Sequence, residues 1–251
     1  MTWTDADSVE SSLALCPVGS TEQHGPHAPL GTDRLTAEAI ASAGAQRADQ
    51  EVVVTPTIPI GVAEEHRQFT GTLWVREETF RNYVRETITS LASHGWNRVI
   101  VVNGHGGNVS ALRELCGRIT RDEIAYAVPF TWFDSVDIEA TAERAAIDPE
   151  SIAMGHGGAV ETSLLQHLHP DLVETGRFEE ADDGAADRWG DWQSSVNLAF
   201  DTAEFSENGV VGTPSDSTPE LGKQLFESAV DSLVELLETV EQRDVSRLSH
   251  R

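Results

Sequence analysis

The sequence predicts an α/β fold with a mostly parallel central sheet. Short, unbroken apolar runs recur at residues 13–18, 52–54, 99–102 and 124–128, the pattern of strands buried on both faces. Stretches of helical periodicity separate them, so the chain alternates strand and helix. Its histidines and many acids gather in glycine-rich loops after those runs, where α/β proteins place ligands.

The elements follow in order. The run at 13–18 leads into Gly19-Ser20-Thr21-Glu22-Gln23-His24-Gly25-Pro26-His27-Ala28-Pro29-Leu30-Gly31-Thr32-Asp33. Apolar residues at 35, 37, 39, 40, 43 and 45 then give a helix over 34–48, with Thr32 or Asp33 as its cap. Val52-Val53-Val54 closes one βαβ unit. A second polar loop, 56–72, carries Glu64, Glu65 and His66. Phe80, Val84, Ile88 and Leu91 mark an amphipathic helix over 77–94 that Gly95 ends. The strand at 98–102 runs into Asn103-Gly104-His105-Gly106-Gly107-Asn108, followed by a helix over about 109–121 and a strand at 124–128. Residues 134–150 are acidic and alanine-rich, the composition of a surface helix or excursion. Gly155-His156-Gly157-Gly158 repeats the earlier theme and opens a helix that carries Glu161 and runs to about 168. Residues 170–207 are acidic, anchored by Trp189 and Trp192, and are expected to form a flap or an oligomer contact. A final amphipathic helix spans 218 to about 240.

Composition bounds the function. A length of 251 residues suits one domain spanning 1–251. Net charge is −25, with 42 acidic residues against 17 basic ones, among which Lys223 is the single lysine. Such a surface suits solubility in concentrated salt, where self-repulsion is screened, so a halophilic protein is expected. Nucleic acid is excluded as a partner because no cationic run exists to neutralise phosphates. Cys16 and Cys116 are too few for a disulfide framework and are expected in the core. No apolar run reaches the roughly 20 residues of a membrane span, and residues 1–12 do not resemble a signal peptide, so a cytoplasmic location is expected.

Loops that follow neighbouring strands of a parallel sheet meet at one edge. Glu22, His24, Asp33, His105 and Glu161 can therefore converge. Glu22 and His24 point the same way in extended backbone, and Asp33 offers two oxygens that can bridge. Nitrogen and oxygen donors without cysteine suit zinc, manganese or iron, and two such ions would activate water and polarise a carbonyl. Gly106, with Asn108 beside it, and His66 in the second loop are the candidates for contacts to substrate. The glycines at His105 and His156 leave backbone amides at helix starts for an anionic group. Taken singly, each residue also has an ordinary reading: His105 as a turn residue, Glu161 as a solvated acid, His66 as part of a surface loop.

The motifs resemble those of the creatininase (creatinine amidohydrolase) family: Gly19 to His27 with Gly31-Thr32-Asp33, Glu65-His66 with Phe69-Thr70-Gly71-Thr72, Asn103 to Asn108, Gly155-His156-Gly157 through Glu161-Thr162-Ser163, and Gly209-Val210-Val211-Gly212. They occur in family order over nearly the whole chain. The resemblance implies a three-layer α/β/α sandwich with a two-metal centre that hydrolyses amide-type C–N bonds, commonly in cytoplasmic hexamers. It matches Glu22, His24, Asp33 (bridging) and His105 to metal ligands, and His156 to the histidine that passes a proton to the leaving nitrogen.

The sequence departs from the creatinine-hydrolysing members twice. Gly107 stands where they carry a glutamate ligand, a role we assign to Glu161, and Ile152 stands where they place a tryptophan lid, leaving Trp132, Trp189 or Trp192 to substitute. The Asn103–Asn108 form is closer to other branches. These comprise archaeal deformylases of a formylamino-pyrimidine ribotide, favoured by the halophile-like composition, and peptidases of a ribosomally made cofactor precursor. The expectation is the deformylase type, acting on an amide bond other than a peptide bond, with creatinine amidohydrolase and the precursor peptidase as alternatives. The rival outside enzymes is a protein that binds an anionic metabolite at Gly106 and Gly157 without chemistry.

Overall fold

In the computed structural model, which describes residues 2–147, 152 and 154–245, the strands β1 (Leu13–Val18), β2 (Val53–Val54), β3 (Arg98–Asn103) and β4 (Tyr126–Thr131) form one all-parallel sheet in the order β2-β1-β3-β4. Alternation along β1 decides which face each residue serves. Leu13 and Leu15 join Ile100, Val102 and Phe130 in one core, while Ala14, Cys16 and Val18 join Val99, Val101 and Ala127 in the other. Helices α2 (Thr32–Arg47), α5 (Ile138–Arg144), α6 (Ala159–Leu168) and α8 (Pro219–Gln242) cover the first face. Helices α3 (Glu77–Ser93) and α4 (Val109–Arg121) cover the second. The three-layer sandwich is therefore present, with both cysteines free and buried in the second core.

Local chemistry explains the boundaries. Helix α8 starts where the Thr218 hydroxyl accepts the Leu221 amide and Pro219 takes the first turn, where no N–H is needed. The fourth strand lies later than the apolar run suggested. Glu123 adopts φ 59°, the Ile124 amide returns to Ile119, and pairing with β3 begins at Tyr126. Pro129 is tolerated because β4 is an edge strand. The acidic stretch 134–150, expected as a surface helix or excursion, holds the short α5, whose Thr141 and Ala142 are buried; residues 148–150 lie outside the described set.

Residues 170–207 hold a short helix α7 (Phe178–Asp183) and a hairpin of β5 (Trp192–Gln193) and β6 (Val196–Asn197). Ser194 and Ser195 supply the two positive φ angles, 50° and 65°, of a two-residue turn. Among the described residues, no helix is long and apolar enough to cross a membrane.

The strand order places the site. The chain leaves β1 toward β2, then crosses to the other side for β3, so β1 and β3 flank the point where direction reverses. Val18 pairs with Asn103, so the loops carrying Glu22 and His105 emerge side by side. Gly104 has no room for a side chain, since a Cβ there would collide with the Asp33 carbonyl. This close approach draws the first turn of α2 onto the ends of both strands.

Candidate active site

Five residues from four segments meet at this sheet edge. Glu22 and His24 come from the loop after β1, and Asp33 from the first turn of α2. His105 follows β3, and Glu161 lies in the first turn of α6. All are buried. His105 Nδ1 lies 3.0 Å from Glu22 Oε1 and 3.2 Å from Asp33 Oδ2. His24 Nε2 lies 3.1 Å from Asp33 Oδ1 and 3.7 Å from Glu161 Oε2.

The tautomers follow from the backbone. His24 Nδ1 meets the Glu22 carbonyl at 3.2 Å, His105 Nε2 meets the Val62 carbonyl at 2.7 Å, and His156 Nε2 meets the Gln23 carbonyl at 2.6 Å. A carbonyl only accepts, so each imidazole donates its outward N–H and turns the other nitrogen inward. His24 and His105 thereby aim lone pairs at carboxylate oxygens, which repel unless a proton or a cation lies between. Both Glu22 oxygens, His24 Nε2 and Asp33 Oδ2 are buried without a hydrogen-bond partner. Outward N–H groups fixed by carbonyls, with inward nitrogens facing acids, are the arrangement of metal-ligating histidines.

Electrostatics agree. Burial works to lower the His24 imidazole, but the carboxylates of Asp33, Glu161 and Glu22 hold it up at about 10. Burial likewise opposes charge on His105, yet Glu22 and Asp33 raise it well above the usual range. Burial pushes Glu22 up to about 7 and raises Glu161. The site asks for positive charge, and without a cation protons supply it. The donor atoms of Glu22, Asp33 and His105 lie within 4.8 Å of one another, as do those of His24, Asp33 and Glu161. Asp33 belongs to both groups, so the residues fit a pair of cations sharing it. Glu22, His24 and His156 form a third such group.

The position of Gly107 has no room for a side chain, and Glu161 reaches the cluster from α6. A Cβ on Gly107 would run into the Val62 carbonyl and lie 2.5 Å from His105 Nε2 and 2.7 Å from Glu65 Oε1. Glu161 Oε2 instead accepts the Gly157 amide at 2.6 Å, which fixes its carboxylate toward His24.

Beside the cluster opens a cavity of about 500 Å³. Its lining includes the polar side chains of Asp33, Glu65, His66, His105, His156 and Glu161 and the apolar ones of Phe133, Met154, Trp189, Ala199, Phe200 and Phe205. The Trp189 ring stands edge-on to His66 and His156, with centroids 5.8 and 6.1 Å apart. Trp189 is thus the tryptophan over the site. Trp132 and Ile152 are buried in the first core, and neither Trp132, Ile152 nor Trp192 lines the cavity.

Three expectations need correction. Asn108 does not face the cavity: its Oδ1 accepts the Val62 amide and its Nδ2 donates to the Gly19 carbonyl, so it ties loops together beneath the site. The Gly157 amide is not free for an anion, because Glu161 occupies it. His66 is not on a surface loop but 1% exposed, stacked 4.2 Å from His156. His27, left without a role by the sequence, donates from Nε2 to the Thr162 hydroxyl and packs against Phe178. Sequence reasoning passed over Glu65, Phe133 and Phe205 as wall residues. Glu65 had a signal in its place beside His66; the aromatics had none.

A family profile described as Creatininase: Creatinine amidohydrolase matches residues 1–237. The chain is 34% identical over 225 residues to the mycofactocin precursor peptide peptidase of Mycolicibacterium smegmatis, covering 87% of this chain and 81% of that protein. It is 29% identical over 195 residues to the creatinine amidohydrolase of Pseudomonas putida, covering 70% and 73%. The crystal structure of a creatininase superposes with a TM-score of 0.82 at 24% identity over 97% of both chains, and a manganese form of creatininase with 0.80. The chain belongs to the creatininase family, whose members are hydrolases of amide C–N bonds.

Proposed function

We propose that this protein cleaves a peptide-type amide bond in a small substrate with an apolar or aromatic group, a peptide of the mycofactocin precursor kind being the leading candidate. The cavity carries this reading. Its lining combines residues of the carboxylate–histidine cluster with four aromatic side chains, Phe133, Trp189, Phe200 and Phe205, and no arginine or lysine is among its lining residues. The peptidase named above, alike over most of the chain, supports the same substrate class.

Glu22 and His105 would hold one divalent ion, His24 and Glu161 the other, with Asp33 bridging; zinc, manganese and iron all suit this donor set. Such ions supply water activation and carbonyl polarisation. His156 handles the proton. Its Nε2–H is committed to the Gln23 carbonyl, so the neutral ring bears its lone pair at Nδ1, 3.8 Å from Glu22 Oε1. Nδ1 takes a proton from the attacking water and delivers it to the departing nitrogen. Trp189 and Phe205, in edge contact at 5.4 Å, give the substrate's apolar part a face to pack on.

The deformylase reading needs a cation for the ribotide phosphate, which this cavity lacks among its lining residues. Binding without chemistry loses one of its two amides to Glu161. Homo-oligomeric assembly, implied by the family resemblance, belongs to the same proposal and is checked by light scattering.

The test loads the protein with zinc or manganese in high salt. It then offers a mycofactocin precursor peptide, blocked tyrosyl dipeptides, creatinine and a formylamino-pyrimidine ribotide. Release of peptide fragments supports the proposal. Formate from the ribotide, creatine from creatinine, or metal-loaded protein inert toward all four would overturn it.

A further inference from the structure

The Gln23 side chain has one allowed orientation. Its Oε1 accepts the Gly25 amide at 2.9 Å, and its Nε2 donates to the Gly209 carbonyl at 2.9 Å. Turning the amide over would set N–H against N–H at Gly25 and oxygen against oxygen at Gly209. The same Nε2 lies 2.8 Å from His66 Nδ1, which must therefore be the acceptor. The Thr202 hydroxyl, 3.1 Å from the same nitrogen, approaches it as a second donor.

The His66 proton consequently sits on Nε2. That nitrogen points inward, 3.5 Å from Glu22 Oε1, with no hydrogen bond to the protein among the described residues. The ring lines the cavity and lies against His156. A nitrogen that carries a proton cannot ligate a cation, and His66 is absent from all three groups of cation donors. It is a fixed N–H donor beside the reacting groups, with its acceptor still to come.

We infer that His66 donates its Nε2–H to the carbonyl oxygen of the scissile amide as negative charge builds there, and that Gln23 is the positioning residue that locks this tautomer. The reacting bond is that of the proposed function, on which this inference rests. A preorganised donor of this kind acts where charge develops and needs no rearrangement during the reaction. The family motif then has a division of labour: Glu22 and His24 face the cations while Gln23, between them, faces the other way and orders His66.

Histidine-selective ¹⁵N NMR on the zinc-loaded protein reads the tautomer directly, and acetohydroxamate serves as an oxyanion probe. His66 is expected as a single Nε2–H tautomer whose Nε2 proton moves downfield when acetohydroxamate binds. Gln23→Met should let the Nδ1–H tautomer appear. His66→Ala should keep both zinc ions while kcat on a blocked tyrosyl dipeptide falls about 100-fold or more at little-changed KM, and His66→Gln should restore part of the loss. An Nδ1–H tautomer in the unaltered protein, no response to bound acetohydroxamate, or loss of zinc in His66→Ala overturns the inference. If neither the precursor peptide nor a dipeptide is cleaved, the functional proposal fails by itself; the tautomer, the probe response and the zinc content still decide the role of His66.

Discussion

Replacing Gly107 by alanine probes why the carboxylate we propose as a metal ligand lies on α6 instead of beside His105. The new methyl would fall between the Val62 carbonyl and the His105 ring, where His105 Nε2–H now donates at 2.7 Å. Two costs follow. Overpacking a filled site costs about 1–3 kcal/mol, which for a domain of this size lowers the thermal midpoint by roughly 2–12 °C. Displacing the carbonyl also frees His105 from its tautomer, and loss of such a partner weakens metal binding by about 10- to 100-fold. Thermal unfolding with and without chelator separates the two: the first loss persists without metal, and the second shows only as a smaller stabilisation by added zinc. Gly107→Glu should be worse on both counts, because its carboxylate would enter against Glu65. A Gly107→Ala protein with unchanged midpoint and zinc affinity would refute the steric reasoning, as would a Gly107→Glu variant that gains affinity.

Asp33→Ala should remove both metal equivalents, since Asp33 sits in both donor groups, whereas Glu161→Gln should leave one; elemental analysis after dialysis distinguishes these outcomes. Metal binding should release protons, because His24 in the cation-free site holds its proton up to about 10 and a cation at Nε2 must displace it. Apparent affinity therefore rises with pH through neutrality, and calorimetry in buffers of different ionisation enthalpy would show no buffer dependence if this is wrong. Trp189→Ala should raise KM for aromatic substrates by roughly 2- to 10-fold with kcat little changed, the scale of one aromatic contact; an equal rise for aliphatic substrates would argue against a packing role. With a net charge of −25, the thermal midpoint should climb between about 0.1 M and 2 M potassium chloride as repulsion is screened, and a flat profile would count against salt adaptation.

Much of the fold was legible because its signals are local. Continuous apolar runs marked β1 and β3, and helical spacing at Phe80, Val84, Ile88 and Leu91 placed α3 within a residue of its end. The strand at 124–128 was misplaced because Ile124 and Ala125 are apolar for a different reason: they belong to the turn that brings the chain back from α4 and pack beneath it. The strand itself runs on through Pro129, a residue that local reading takes as a stop.

By itself the sequence determined the inventory: an acidic α/β chain with nitrogen and oxygen donors in glycine-rich loops. That is a matter of residue type and short spacing, which composition and periodicity record. Only the tertiary structure decided how those donors divide. Glu161 lies beside His24 because Gly157, just before α6, packs against the His24 backbone, Asp33 is shared because Gly104 lets α2 come close, and Asn108 turns away because two loops need its amide. The aromatic lining belongs to this second class as well. Trp189 lies far from the motifs in the chain, and packing alone brings it to His66 and His156.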